Sequence, residues 1–147
     1  MRIFFSTLLL IAAGFLSTAF SQSVNGSLRI QVGGIRNNKG VILCSVFKDG
    51  KGYPDQPKLA FAKASLTIKE GMAMVEFPSL PTGQYAVALL HDENGDNKMN
   101  TSMMGLPKEG YGFSNNVMGL FGPPTFAKAS VSIEKTEKKE IKIELRY

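Results

Sequence analysis

Cysteine and histidine are almost missing from this chain: Cys44 and His91 are the only ones among 147 residues. A lone thiol closes no internal disulfide, so the core has to hold by burial. Cys44, inside the apolar run VILCSVF, reads as a small buried side chain. One histidine and one distant cysteine cannot complete a tetrahedral zinc site. Neither a strained nucleophile turn nor a Ser-His-Asp spacing occurs, which leaves covalent catalysis without a recognisable constellation. No long helical period is found either, and the pattern that remains is that of short strands.

The first residues carry a different signal. Met1 and Arg2 precede the apolar run IFFSTLLLIAAGFLSTAF, and small residues follow at a cleavage position, which is the layout of a secretory signal peptide. Cuts after Ala19 and after Ser21 both fit; Ser21 is favoured because Ala19 and Ser21 then supply the two small residues. The run is short for a retained stop-transfer helix, and no cysteine follows it to carry a lipid anchor. Removing residues 1–21 from 147 leaves 126, enough for one domain, residues 22–147, with its own core and no room for a second. With Arg2 gone, 16 basic side chains stand against 12 acidic ones, a net charge of +4. Part of it is massed in the tail EKTEKKEIKIELR, expected to be a solvated strand face; with an export signal present, nucleic acid is not an expected partner. The destination is secreted or periplasmic, and the mature chain is expected to carry no transmembrane segment.

Alternation marks the strands. SLRIQVGGI places Leu28, Ile30 and Val32 on one face and Arg29 and Gln31 on the other. VILCSVF suits an interior strand. ASLTIKEGMAMVEF reads as two strands about a Glu70–Gly71 turn, with Leu66, Ile68, Val75 and Phe77 facing in. QYAVALLH is apolar on both faces, a central strand that delivers His91 and Asp92 to one end of the fold. AKASVSIE and KEIKIELRY alternate again. Seven short strands predict an all-β protein, a single antiparallel seven-stranded β-sandwich of immunoglobulin or prealbumin type with one long ordered loop. Tyr85, just after LPTG, suits either a tyrosine corner tying down the incoming loop or a core tyrosine with its tip in water.

The long loop begins at Asp92 and reaches about Phe126, well beyond an ordinary strand connection. Burial of Leu106, Tyr111, Phe113, Leu120 and Phe121 over the end of the sandwich is one expected compensation for its ordering entropy; a bound ion is another. Asp92, Asn94, Asp96 and Asn100 occupy positions one, three, five and nine of a calcium-loop count, with Lys98 at seven, where a backbone carbonyl serves. The match is incomplete, since Asn97 stands at six instead of glycine and Met103 at twelve instead of glutamate. Glu109 is the residue left to fold back and complete the shell. So few carboxylates imply an affinity on the order of 0.1 to 1 mM. The competing reading needs no metal: Asp, Asn and Gly build consecutive turns whose side chains bond the loop's own backbone.

EGYGFSNN offers a ligand site in which Tyr111 and Phe113 are aromatic platforms and Ser114, Asn115 and Asn116 are adaptable hydrogen-bonders, with His91 and Glu109 on the rim. The competing reading is a segment that buries its own aromatics and caps its own backbone; separately, a short helical turn is expected from Ser114 to Leu120, capped by Ser114 or Asn115.

LPTGQYAVALLHDENGDNKMN followed by GLPKEGYGFSNN resembles the signature of a group of exported bacterial proteins of unknown function, with a Gly-x-Tyr-Ala-Val strand, an HDxN loop and a GxPxEGYGFSNN segment. PSLPTGQYAV is similar to the Leu-Pro-x-Gly-x-Tyr corner of transthyretin-like and carboxypeptidase-regulatory-like sandwiches. The resemblance implies a fold and no established activity. Two main functions follow as expectations. One is an exported, non-catalytic binding module that uses loop 92–122, calcium-ordered or self-ordered, to recognise a glycan, a peptide or an envelope component. The other is a hydrolase using Asp92 or Glu109 beside His91. A purely structural envelope protein is a third.

Overall fold

The computed structural model describes residues 25–147, so the expected signal peptide, 1–21, lies outside the described residues. Eight strands follow in order: β1 (Gly26–Gly33), β2 (Val41–Lys48), β3 (Ala62–Leu66), β4 (Ala73–Leu80), β5 (Gly83–Asp92), β6 (Gly110–Phe113), β7 (Val131–Ile133) and β8 (Lys138–Glu144). They form a three-stranded sheet, β4-β1-β8, and a five-stranded sheet in which β3-β2-β5-β6 run in sequence and β7 pairs with the start of β5. The all-β class holds.

Two details of the expected sandwich need correction. The strands number eight rather than seven, and the pairing is not wholly antiparallel: β1 and β8 run parallel, with Ile30 beside Ile141 and Val32 beside Ile143. Almost the whole chain separates β1 from β8, so no short turn forces them into a hairpin.

The additional strand is β6, hidden in EGYGF because two of its residues are glycine. Both glycines mark close approach. A Cβ on Gly110 would lie 2.5 Å from the Tyr147 ring, and one on Gly112 would lie 2.9 Å from the Ile143 side chain. AKASVSIE is also only partly a strand, since Phe126–Ala129 make one helical turn, α1, before β7 begins. Ala129, Val131 and Ile133 are nevertheless all buried, so the alternation was a true burial pattern on a bent chain.

Between the sheets lie Leu28, Ile30, Val32, Ile42, Val46, Leu66, Ile68, Val87, Ile133 and Ile143, with Cys44 buried among them. Burial pushes the Cys44 thiol up to about 12 and keeps it an inert neutral side chain. Among the described residues the core runs from Leu28 to Leu145. The other face of β5 is covered too: Ala86 packs with Phe113 and Ala129, flanked by Tyr53, Tyr111 and Phe126. The basic tail is the solvated strand face it was read as, with Lys138, Glu140 and Lys142 outward on β8 and Arg29 between Glu76 (2.8 Å) and Glu140 (3.9 Å).

Tyr85 is fully buried, and its hydroxyl donates to the Pro81 carbonyl at 2.7 Å, four residues upstream. This is the tyrosine-corner arrangement. Tyr85→Phe leaves that carbonyl without its donor and is expected to cost about 1–2 kcal/mol in urea unfolding, with an unchanged m-value.

Candidate functional site

β5 ends in His91 and Asp92, both fully buried, and the polar structure at that end of the sandwich is built on them. The Tyr147 hydroxyl accepts the Arg36 backbone N–H at 3.1 Å and is hydrogen-bonded to His91 Nδ1, 2.6 Å away, with a Glu93 carboxylate oxygen 3.6 Å from the same nitrogen. The other ring nitrogen, Nε2, lies 2.7 Å from the Lys39 carbonyl, which can only accept, so Nε2 carries a proton. Both nitrogens are therefore occupied, and neither is offered to a substrate.

Asp92 turns the other way, into the loop. Its two carboxylate oxygens accept the backbone N–H of Gly95 (2.7 Å) and of Asn97 (2.9 Å). Glu109, from the far end of the same loop and only 4 % exposed, does fold back as expected. What it meets is backbone: the N–H of Glu93 and that of Asn100, each at 3.0 Å. Around them the smaller turns repeat the device. Asn94 Oδ1 accepts the Asp96 N–H at 3.0 Å, and Asp96 Oδ1 accepts the Lys98 N–H at 2.9 Å. The side-chain amides of Asn94 and Asn100 donate to Asp96 Oδ2, holding its carboxyl below the usual range, with the Asn100 bond the chief cause. Lys98 contributes only its backbone N–H to these bonds. Among the described residues no three His, Cys, Asp or Glu side chains are grouped so as to hold a metal ion.

EGYGFSNN is an internal brace. Phe113 is buried, and Tyr111, half-buried, stacks edge-on to it at 6.0 Å. The Ser114 hydroxyl, fully buried, accepts the Val87 N–H at 2.9 Å and donates to the Ala129 carbonyl. The chain then bends through left-handed conformations at Asn115 (φ 61°) and Asn116 (φ 53°), where asparagine is tolerated. Asn115 donates to the carbonyls of Lys128 (3.1 Å) and Ser130 (2.9 Å). Asn116 both donates to the Lys142 carbonyl (3.0 Å) and accepts the Glu144 N–H (2.8 Å), fastening β6 to the edge of β8. The helical turn expected from Ser114 to Leu120 is not formed: the 3-10 turn covers only Ser114–Asn116, with non-helical, left-handed backbone at Asn115, and Val117 is already extended.

A second set of groups carries no local sequence signal. Arg36 forms a two-pronged pair with Glu93, at 2.7 and 2.9 Å, donates to the Lys108 carbonyl at 3.0 Å and lies 4.4 Å over the Tyr147 ring. The Arg36 hydrogen bonds hold the Glu93 carboxyl below the usual range. Arg36, Glu93 and Tyr147 are far apart in sequence, and only the fold brings them together.

The burial expected of the loop's apolar residues is half right. Phe113 is inside and Tyr111 partly so, but Leu106 is 61 % exposed, Leu120 94 % and Phe121 103 %, with Met103 at 107 % and Met104 at 85 %. β6 divides the expected single loop in two: carboxylate-to-amide bonds order residues 93–109 and leave Met103, Met104 and Leu106 in water, while Leu120 and Phe121 are exposed in the connection after β6.

Glu109→Ala strands two amides and is expected to lower stability by about 2–3 kcal/mol, whereas Glu109→Gln, which keeps one acceptor, loses roughly half as much. Glu93 gives a pH signature. Its folded-state pKa is depressed, so the stability it adds is fully present above the unfolded value and is lost as pH falls from 4.5 through the folded value. The melting temperature of Glu93→Gln should therefore depend less on pH across that acidic window than that of the wild type.

No curated protein and no solved structure matches the chain. One family model does, over residues 30–142, nearly the whole of the two-sheet domain and all of the loop. The chain belongs to the family described as "Uncharacterized protein conserved in bacteria (DUF2141)".

Proposed function

We infer that this protein is a non-catalytic, exported binding module whose loop 92–122 is a recognition surface for a component of the bacterial envelope. One observation carries this reading. The buried carboxylates Asp92 and Glu109 are spent on the loop's own backbone, while Met103, Met104, Leu106, Leu120 and Phe121 are held out in solvent. Three large apolar side chains left outside by the β5–β6 connection, and two more by the connection that follows β6, suit a contact surface. A peptide or envelope partner would meet these side chains; a glycan would have the half-buried Tyr111 as its aromatic contact. The hydrolase reading has less support, because His91 has both nitrogens engaged and Asp92 and Glu109 are saturated by amides. Export itself rests on the leader-like residues 1–21.

A second reading, calcium occupancy of the loop, is favoured by Asn97. It holds φ 60° at the sixth position of the count, the sharp turn for which calcium loops use glycine. An ion there would draw on Asp92, Asn94, Asp96, Asn100 and the Lys98 carbonyl. Millimolar calcium should then raise the melting temperature of the wild type and leave Asp92→Ala/Asp96→Ala unmoved; equal melts with calcium and with chelator would reject it.

The main reading is tested by retention on isolated bacterial envelope material. Wild-type protein should be retained, and M103S/M104S or L120S/F121S should be released with melting temperatures unchanged. Equal retention of both variants would contradict it.

A further inference from the structure

The tip of the loop has a more specific character than a generic contact surface. Residues 100–108 form a small hairpin. Its foot is closed by the Lys108 N–H to the Asn100 carbonyl at 2.8 Å and by a bridge between Thr101 and Pro107. Above it the Ser102 N–H donates to the Leu106 carbonyl at 2.7 Å, the Gly105 N–H to the Ser102 carbonyl at 2.9 Å, and the Leu106 N–H to the Ser102 hydroxyl at 3.1 Å. Glu109 grips the foot through the Asn100 N–H. The hairpin is thus ordered before it meets anything.

At its summit Met103 and Met104 stand clear of the body, with Leu106 beside them. At its foot Lys98 and Lys108 are exposed, and among the described residues neither ammonium is within 4.0 Å of a carboxylate.

Resting on the reading of the loop as a contact surface, we propose that its partner is an anionic lipid surface, with Met103, Met104 and Leu106 entering the headgroup boundary and Lys98 and Lys108 meeting the lipid phosphates. Three features favour lipid over other occupants. The apolar group projects, so a protein partner would have to supply a matching pocket, whereas lipid chains conform to any shape. The summit carries no aromatic ring to stack on a sugar. Several N–H groups of the hairpin are already satisfied within it, which lowers the cost of leaving water. An apolar tip flanked by two exposed lysines, Lys108 and a Lys98 whose charge also acts on Asp96, is the combination that interfacial attachment requires, apolar insertion joined to electrostatic attraction.

The test uses the expected mature chain, from Gln22 on, in flotation with protein-free vesicles. One set is phosphatidylcholine and phosphatidylglycerol in equal parts, the other phosphatidylcholine alone. Wild type should float with the anionic vesicles and be released by salt. M103S/M104S should lower the partition coefficient on the order of tenfold or more, and K98Q/K108Q should remove the preference for anionic vesicles. Both variants should melt as the wild type does. Failure of the wild type to float, or flotation of M103S/M104S equal to it, overturns the proposal. Two such failures are distinguishable. Tip-dependent retention on envelope material without flotation, or a wild-type dimer that M103S/M104S makes monomeric, rejects lipid and keeps the loop as a contact surface. Loss of flotation, retention and self-association together rejects the surface reading as well.

Discussion

A buried carboxylate is costly unless its lone pairs are met, and Asp92 and Glu109 are buried at the two roots of one long loop with four backbone N–H groups as their partners. The rest of that end of the molecule follows from this constraint. Amides satisfied by Asp92 fix the first turns, amides satisfied by Glu109 draw residues 93 and 100 together, and the chain between Asn100 and Lys108 has no course left but an outward hairpin. Hydrophobic collapse shapes the two sheets. Charge-to-amide bonding shapes the loop, which is why its large apolar residues can be left in solvent.

Much of the sandwich was legible because burial in a strand repeats every second residue. Leu28, Ile30 and Val32 could be placed inside, and both faces of QYAVALLH could be seen as covered, without knowledge of any partner strand. Pairing direction was not legible. The parallel contact of β1 with β8 joins opposite ends of the chain, and no local pattern encodes it. β6 was hidden for a related reason: its glycines are explained only by Tyr147 and Ile143, which arrive from the end of the sequence.

The site was legible as a place and less so as a set of roles. The run from His91 to Asn116 drew notice through its density of Asp, Asn and Gly, and those residues do converge. Sequence alone left open whether they face a ligand or their own backbone. The same Asx pattern serves both, and the choice depends on where each carbonyl and amide ends up in space. Ser114, Asn115 and Asn116 reach β5, the α1 region and β8. Arg36, Glu93 and Tyr147, which complete the polar network around His91, sit in segments with no motif. Leu106, Leu120 and Phe121 are expected inside because large apolar side chains in a loop usually find a core, and here the fold offers them none.

The central claim is that Asp92 and Glu109 order loop 93–108 through its amides. Amide hydrogen exchange of the wild type in the presence of chelator tests it most directly. The account predicts that the N–H groups of Glu93, Gly95, Asn97 and Asn100 are protected in chelator, and that Asp92→Asn and Glu109→Gln, which each keep one acceptor oxygen, each release one of the two amides bound to that side chain. Free exchange of all four in chelator, with protection returning only when calcium is added, would contradict it.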